Sequence, residues 1–349
     1  MTLYKRILSV PADPQDNSLL FRLLPAEIRS HIFSFALTDY PDPSPDHHYH
    51  QDTCYSRPSY FAPRKTDTQL LRACRRAYQE SWFLPFVLKE QTQWLTHLNR
   101  APPGLGARMT TVKLHLRLRQ VAEQQGKENV EFDRLRAFAQ MWKLEQGALS
   151  KLLGVDGVPH LHPRSLTLTI RHADWWHWEK DEPLRFEAGW LQGVSKVLST
   201  SVQEFNIEIE SLVRKKDQIE KIATQMVQRW FFKRQDGVVL YADSTPNSWV
   251  VSTWRGNSTW HDERWIRDET EPNVVDYYVA IVTFRPEYVI AQKGGQVSDK
   301  AREFADRPYY AEDEMRLHLP DAKQIDDPNP SIYVGEDSDE VGCYFALFD

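Results

Sequence analysis

Three runs of strict period-two alternation, separated by helical patterns, confine the middle of this 349-residue chain to layers of strands and helices. Val112, Leu114, Leu116 and Leu118 alternate with Lys113, His115, Arg117 and Arg119. Leu166, Leu168 and Ile170 alternate with Thr167, Thr169 and Arg171, and Phe205, Ile207 and Ile209 with Asn206, Glu208 and Glu210. Residues two apart on a strand share a face, so each run predicts a strand with one apolar and one polar side. Between them, Phe132, Leu135, Ala139 and Trp142 predict a helix before the second strand, and residues 190–198 predict another before the third. A further helix places Ile219, Ile222, Ala223, Met226, Val227, Trp230 and Phe231 on one stripe and opens with a capping-box-like Asp217-x-x-Glu220.

Strands that alternate with helices need crossover connections, which predicts a parallel sheet. Because these strands alternate instead of being apolar throughout, one sheet face is expected to stay open. The expectation is an irregular, leucine-rich-repeat-like region with helices on one side, although no fixed repeat period runs through it. From Gly237 onward strands follow without helices, at 238–241, 248–254, 277–284 and 288–291, and antiparallel pairing is expected there. An acidic stretch at 326–340 precedes the apolar end 343–348, which could add a strand or dock on the body. The break Ala101-Pro102-Pro103-Gly104-Leu105-Gly106 marks a boundary. The fold class is therefore mixed α+β and α/β, in three parts: a helical module over 1–100, a strand–helix region over 104–235 and an antiparallel extension over 236–349.

The helical module carries the most specific pattern. Leu24, Ile28, Ile32, Phe35 and Ala36 form an apolar stripe behind Pro25, which suits a first helical turn, and Glu27 sits where the helix dipole favours an anion. Such a stripe must be covered. A second helix offers Leu70, Leu71, Cys74, Ala77, Tyr78, Ser81 and Trp82 on one face, with Pro85 just past its end. Together, the Leu-Pro-x-Glu-Ile opening and the run Leu71-Arg72-Ala73-Cys74-Arg75-Arg76-Ala77-Tyr78 resemble an F-box, and more closely the divergent F-box-like module at the amino end of many filamentous-fungal proteins. The resemblance implies that Leu24, Pro25, Ile28 and Ile32 dock on the Skp-type adaptor of a cullin-type ubiquitin ligase while the rest of the chain holds a protein target. This chain departs from the compact F-box in the separation of the two motif halves by residues 38–66. Within that stretch, residues 39–63 are rich in Pro, Asp, His and Tyr, have no apolar period and predict a long loop.

Composition narrows the partners. The formal charge of −6, from 43 basic and 49 acidic residues, gives no general attraction to nucleic acid or anionic lipid. Residues 1–10 lack a signal-peptide run, and no stretch approaches membrane-span length, so an intracellular site, cytoplasmic or nuclear, is expected. The three cysteines, Cys54, Cys74 and Cys343, are too scattered for a disulfide framework and suit a reducing compartment, where the sequon Asn257-Ser258-Thr259 would go unused.

Few constellations suggest chemistry. Arg171, Trp175, Trp176 and Trp178 leave the carboxyl end of the second strand, where open sheets bind ligands, and Trp and Arg are the residues of interface hot spots. They are the candidate target-binding residues; alternatively, the tryptophans seal a junction in the core. Arg117, Arg171, Glu208 and Glu210 are expected on the polar sheet face, where opposite charges on neighbouring strands can pair. His47, His48, His50 and Cys54 have metal-ligand chemistry without a second cluster to close a site, and His261-Asp262-Glu263 lacks helical ligand spacing. Trp249, Trp254, Trp260 and Trp265 interleave with Arg255, Arg264 and Arg267, a pattern that fits bases or sugars but better fits strand-facing core. No phosphate loop, dinucleotide fingerprint or nucleophile elbow is present, the one glycine pair, Gly294-Gly295, is a turn signal, and no cofactor is implied. The reading is a protein-interaction module without a catalytic motif. Its alternatives are a self-contained scaffold with the Leu-Pro helix buried, and an enzyme with its site near Trp175 to Trp178.

Overall fold

Pro25 has no N–H to leave unsatisfied, and the chain uses it as the N-cap of a helix, α1 (Ala26–Leu37). The computed structural model, which describes residues 3–105, 107–154, 161–260, 263–317 and 319, continues into α2 (Arg75–Ser81) and α3 (Leu84–Leu88). The second predicted helix is thus divided. Gln69–Arg72 is a 3-10 turn, Cys74 is the N-cap of α2 with its Sγ 3.4 Å from the Ala77 N–H, and Pro85 falls inside α3 instead of ending α2. Phe33 and Leu37 of α1 pack against Ala77 and Leu84, with Leu20, Phe21, Leu70 and Leu71 around them. The Arg29 guanidinium locks α1 to α2, donating to Glu80 at 2.8 and 2.9 Å and to the Leu24 carbonyl at 2.7 Å.

The remainder is built on one eight-stranded mixed sheet of β1 (Gln91–Leu95), β2 (Glu131–Ala139), β3 (His162–Ile170), β4 (Glu204–Leu212), β5 (Phe231–Lys233), β6 (Val239–Ala242), β7 (Val250–Asn257) and β8 (Val274–Pro286). The spatial order is β1-β2-β3-β4-β8-β6-β5, with β7 beside β6 on the same edge of β8. Strands β1 to β4 are parallel and consecutive, whereas β8 runs antiparallel to β4, β6 and β7. The protein is therefore mixed α+β, as its patterns predict, and the antiparallel region completes the sheet that the parallel region begins. Its first strand, β1, comes from before the 101–106 break.

Three predicted elements change type. Residues 112–119 lie in a helix, α4 (Ala107–Gln125), which buries Leu114, Leu118, Val121 and Ala122 and leaves Val112 and Leu116 exposed. Four-residue spacing is hidden inside an alternating run, and here the helix took it. Residues 132–139, predicted helical, form β2, which is covered on both sides: Leu135, Ala137 and Ala139 face the main core and Phe138 the other layer, so the period of two is lost. The helices expected over 190–198 and after strand three are present as α5 (Trp190–Val197) and α6 (Lys216–Arg229). Asp217 lies in the first turn of α6, but no side chain caps it, and Glu220 instead accepts a hydrogen bond from the Tyr278 hydroxyl at 2.7 Å. Residues 288–291 belong to a helix, α7 (Glu287–Gln292), capped by Pro286. Among the described residues no helix is long and apolar enough to cross a membrane. Cys343, residues 326–340 and 343–348, and His261 and Asp262 lie outside the described residues.

The sheet face predicted to stay open is covered. Tyr40–Pro41 pairs with Arg64–Lys65, closing the base of a strap that lies over β1 and β2 and reaches β4 through Arg57. Tyr55 and Tyr60 of the strap pack edge-on against Trp94 of β1, which stacks on Phe138 of β2 at 4.2 Å. The predicted loop is therefore a structural layer, held by aromatic packing and by charges.

Candidate functional site

Beneath the strap the polar halves of the strands form a buried charge lattice. Arg57, from the strap, reaches Glu208 at 2.5 Å and Glu210 at 3.3 Å on β4. Arg136 on β2 bridges Glu208 and Glu90, each at 3.2 Å, and Asp39 at the strap's root holds Arg134 at 2.7 Å together with Arg64. Arg171, just past β3, grips Asp174 at 2.6 and 2.9 Å, donates to the Cys54 carbonyl at 3.0 Å, and lies over the Trp94 and Phe138 rings. Five carboxylates, Asp39, Glu90, Asp174, Glu208 and Glu210, thus meet five guanidinium groups, Arg57, Arg64, Arg134, Arg136 and Arg171. Burial pushes the Glu208 carboxyl up, but Arg57 and Arg136 outweigh it and hold the group below its usual range. Arg117 takes no part in the sheet, because it sits on α4.

Where the strap, the carboxyl ends of β3 and β4, and β7 meet, a cleft of about 550 Å³ opens. Its walls carry Arg57, His172, Glu210, Trp254, Trp260 and Tyr277. The Trp254 ring stacks on Tyr277 at 4.2 Å and its N–H donates to Glu210 at 2.9 Å. Asn257 at the end of β7 donates to Asp52 and ties the strap to this edge. Burial drives the His172 imidazole down against the opposing pull of Asp268, and drives the Cys54 thiol up. His172 is therefore a neutral ring at neutral pH and Cys54 a protonated thiol, which is a poor nucleophile. Ser211 and Asp268 flank His172 at 3.3 and 3.8 Å, but Ser211 is fully buried and does not line the cleft, so its hydroxyl is not presented to a substrate.

The residues predicted to bind a target are mostly interior. Arg171, Trp175 and Trp178 are buried, Trp175 donating to the Glu210 carbonyl at 2.8 Å and Trp178 packing on Trp260 and Trp265. Trp176 is half-buried, with its N–H on Glu145 at 2.8 Å. The three tryptophans pack into the core, and Arg171 alone of the four lines the cleft. Trp249, Trp254 and Trp265 likewise pack against the main core. His47 pairs with Asp42 at 2.8 Å and His50 with Asp52 at 3.3 Å, and among the described residues no group of three His, Cys, Asp or Glu could hold a metal ion. The residues missed were Arg57, Trp254 and Tyr277 as one constellation. The available signal was the density of tyrosines, Tyr49, Tyr55 and Tyr60, around Arg57 in a segment otherwise resembling a solvated loop.

A second surface lies on α1. Phe33 and Leu37 face inward, and the opposite side presents Ile28 at 46% exposure, Ile32 at 40% and Phe35 at 83%; Leu19 and Leu23 of the preceding helix, Leu19–Leu23, are also exposed. Leu24 is half-buried where the two helices meet, and Pro25 is exposed. Comparison of the chain with protein-family models, with curated proteins and with solved structures found no match.

Proposed function

We propose that this chain is an F-box-like protein-interaction module that docks through α1 on the Skp-type adaptor of a cullin-type ubiquitin ligase and presents a protein target with its α/β body. The observation that carries the reading is the division of α1 into two apolar sides. Phe33 and Leu37 pack α1 into the small amino-terminal core, yet Ile28, Ile32 and Phe35 on its other side are exposed, as are Leu19 and Leu23 of the preceding helix. Clustered apolar side chains of this size on one face are what partner surfaces expose, and they are the positions at and beside the Leu-Pro motif. The consecutive parallel strands β1 to β4, with their helices on one side, support a leucine-rich-repeat-like body as the target-holding part.

The test is co-purification of the chain with a fungal Skp adaptor, alongside an Ile28→Asp, Ile32→Asp variant. Both positions face solvent, so the variant keeps the melting temperature of the parent, and the complex is expected to be lost. A complex that survives the double substitution, or no complex with the parent, overturns the reading.

A further inference from the structure

We infer that the cleft between the strap and β7 is a binding site for an uncharged ligand that carries a hydrogen-bond acceptor oxygen on a flat apolar body. The inference is independent of adaptor docking at α1.

Two donor groups of cleft-lining residues have no acceptor among the described residues. Arg57, about 5% exposed, uses Nη2 on the glutamates and Nε on Ser59 at 3.1 Å, but its Nη1 is buried with no hydrogen-bond partner among the described residues. Tyr277, 3% exposed, makes no hydrogen bond through its hydroxyl among the described residues, and burial pushes its pKa well up, so it stays a neutral O–H donor. A buried donor without a partner costs free energy that an incoming acceptor recovers. Both residues line the same cleft, and its volume lies in the range of small-ligand sites.

The charges around these donors select against an ion. Arg57 is already matched by Glu208 and Glu210, Arg171 by Asp174, and Arg255 on the rim by Glu271 and Asp276. A carboxylate would bring an uncompensated charge next to Glu210, and a cation one next to Arg57 and Arg171, each at a desolvation cost nothing in the cleft offsets. A neutral carbonyl asks only for the two free N–H and O–H groups. The half-buried Trp254, stacked on Tyr277 on one side, supplies a flat aromatic wall, and Gly256 keeps it in place: a Cβ there would stand 2.6 Å from the Trp254 ring and 2.8 Å from that of Tyr277.

An amide carbonyl close to an aromatic ring occurs both in small molecules and in peptides, and calorimetry can separate the two sources. N-acetyl-phenylalaninamide, N-acetyl-phenylalanine and the blocked pentapeptide Gly-Gly-Phe-Gly-Gly are titrated into the full chain and into its Tyr277→Phe and Arg57→Lys variants. The expected result is binding of the amide, the peptide or both, with at least tenfold weaker binding of the carboxylate and an approximately tenfold loss in Tyr277→Phe, as one hydrogen bond removes. Binding of the pentapeptide without the free amide assigns the site to a protein segment; binding of the amide assigns it to small molecules as well. Tyr277→Phe keeps the ring stack, so an unchanged melting temperature separates lost binding from lost folding, and Arg57→Lys keeps the charge while removing the Nη1 donor. No binding of either neutral probe, preference for the carboxylate, or unchanged affinity in a folded Tyr277→Phe variant overturns the inference.

Discussion

Replacing Arg57 with Met tests whether the strap is locked to the sheet by charge. The guanidinium lies 2.5 Å from Glu208 and 3.3 Å from Glu210, and the three side chains are 5%, 6% and 4% exposed, so water screens little of the interaction. Arg57→Met leaves Glu208 with Arg136, which also serves Glu90, and leaves Glu210 with only the N–H groups of Trp254 and His172. Breaking a buried pair from one side costs ~3–5 kcal/mol, against ~0–1 kcal/mol for an exposed pair. With unfolding entropy of ~2.1 cal/mol/K per residue over 349 residues, this corresponds to a fall of ~4–7 °C in melting temperature at pH 7. The pH dependence carries a sign. In the parent, Glu208 is held below the ordinary glutamate value of about 4.5, so its contribution is complete above that pH and is lost as pH falls through the depressed value. In the variant, burial without Arg57 favours the protonated form, so acidification lets the folded state bind a proton and relieves the penalty. The gap between parent and variant, followed by differential scanning calorimetry, is expected to narrow from pH 7 to pH 4.5. Equal melting temperatures at pH 7, or a gap that widens on acidification, would refute the lock.

Phe33→Ala removes a fully buried ring from the small amino-terminal core and is expected to cost ~3–5 kcal/mol, whereas Ile32→Ser on the exposed side should stay within ~0.5 kcal/mol in urea unfolding. Glu145 is pushed up to about 7 by burial, against the lowering effect of the Trp176 N–H. Its folded pKa exceeds the unfolded value, so it lowers stability as pH rises from about 4.5 through about 7. Glu145→Gln keeps the acceptor for Trp176 and should raise the melting temperature at pH 8 while leaving it unchanged at pH 4.5. Gly256→Ala forces Trp254 and Tyr277 apart and should cost ~1–3 kcal/mol, visible also as a loss of near-ultraviolet circular dichroism from the stacked pair.

What the sequence discloses depends on whether a face is shared with water or with another layer. Strands β3 and β4 are legible because their polar residues, Thr167 and Thr169 or Asn206, Glu208 and Glu210, keep a period of two even when buried by the strap. Helix α6 is legible for the same reason at its own period. Strand β2 fails because Phe138 and Ala139 are adjacent and both buried, and α4 fails because its four-residue spacing coincides with an alternating run. The cleft depends on residues 210, 254 and 277, brought together by the pairing of β8 with both β4 and β7, and on residue 57, brought over them by the strap. No local period encodes such a meeting. The exposed side of α1 was partly legible: the stripe Leu24, Ile28, Ile32 and Phe35 is present, but the side that packs inward is the one through Phe33 and Leu37.

Residues 38–66 separate the two helical motifs in sequence without separating them in space. Arg29 of α1 and Glu80 of α2 are joined directly, and the pairing of Tyr40–Pro41 with Arg64–Lys65 brings the ends of the excursion together beside them. What lies between answers to the sheet. Tyr55 and Tyr60 cover Trp94 and Phe138, Arg57 pairs with two glutamates, and Asp39, just past α1, anchors Arg134 of β2. The strap cannot lift without exposing stacked aromatic rings and leaving both signs of charge unpaired, so it belongs to the folded body as firmly as a strand. Because it starts where α1 ends, the surface offered by Ile28, Ile32 and Phe35 is rigidly connected to the roof of the cleft, and the two surfaces are held at a fixed separation by packing instead of by a linker.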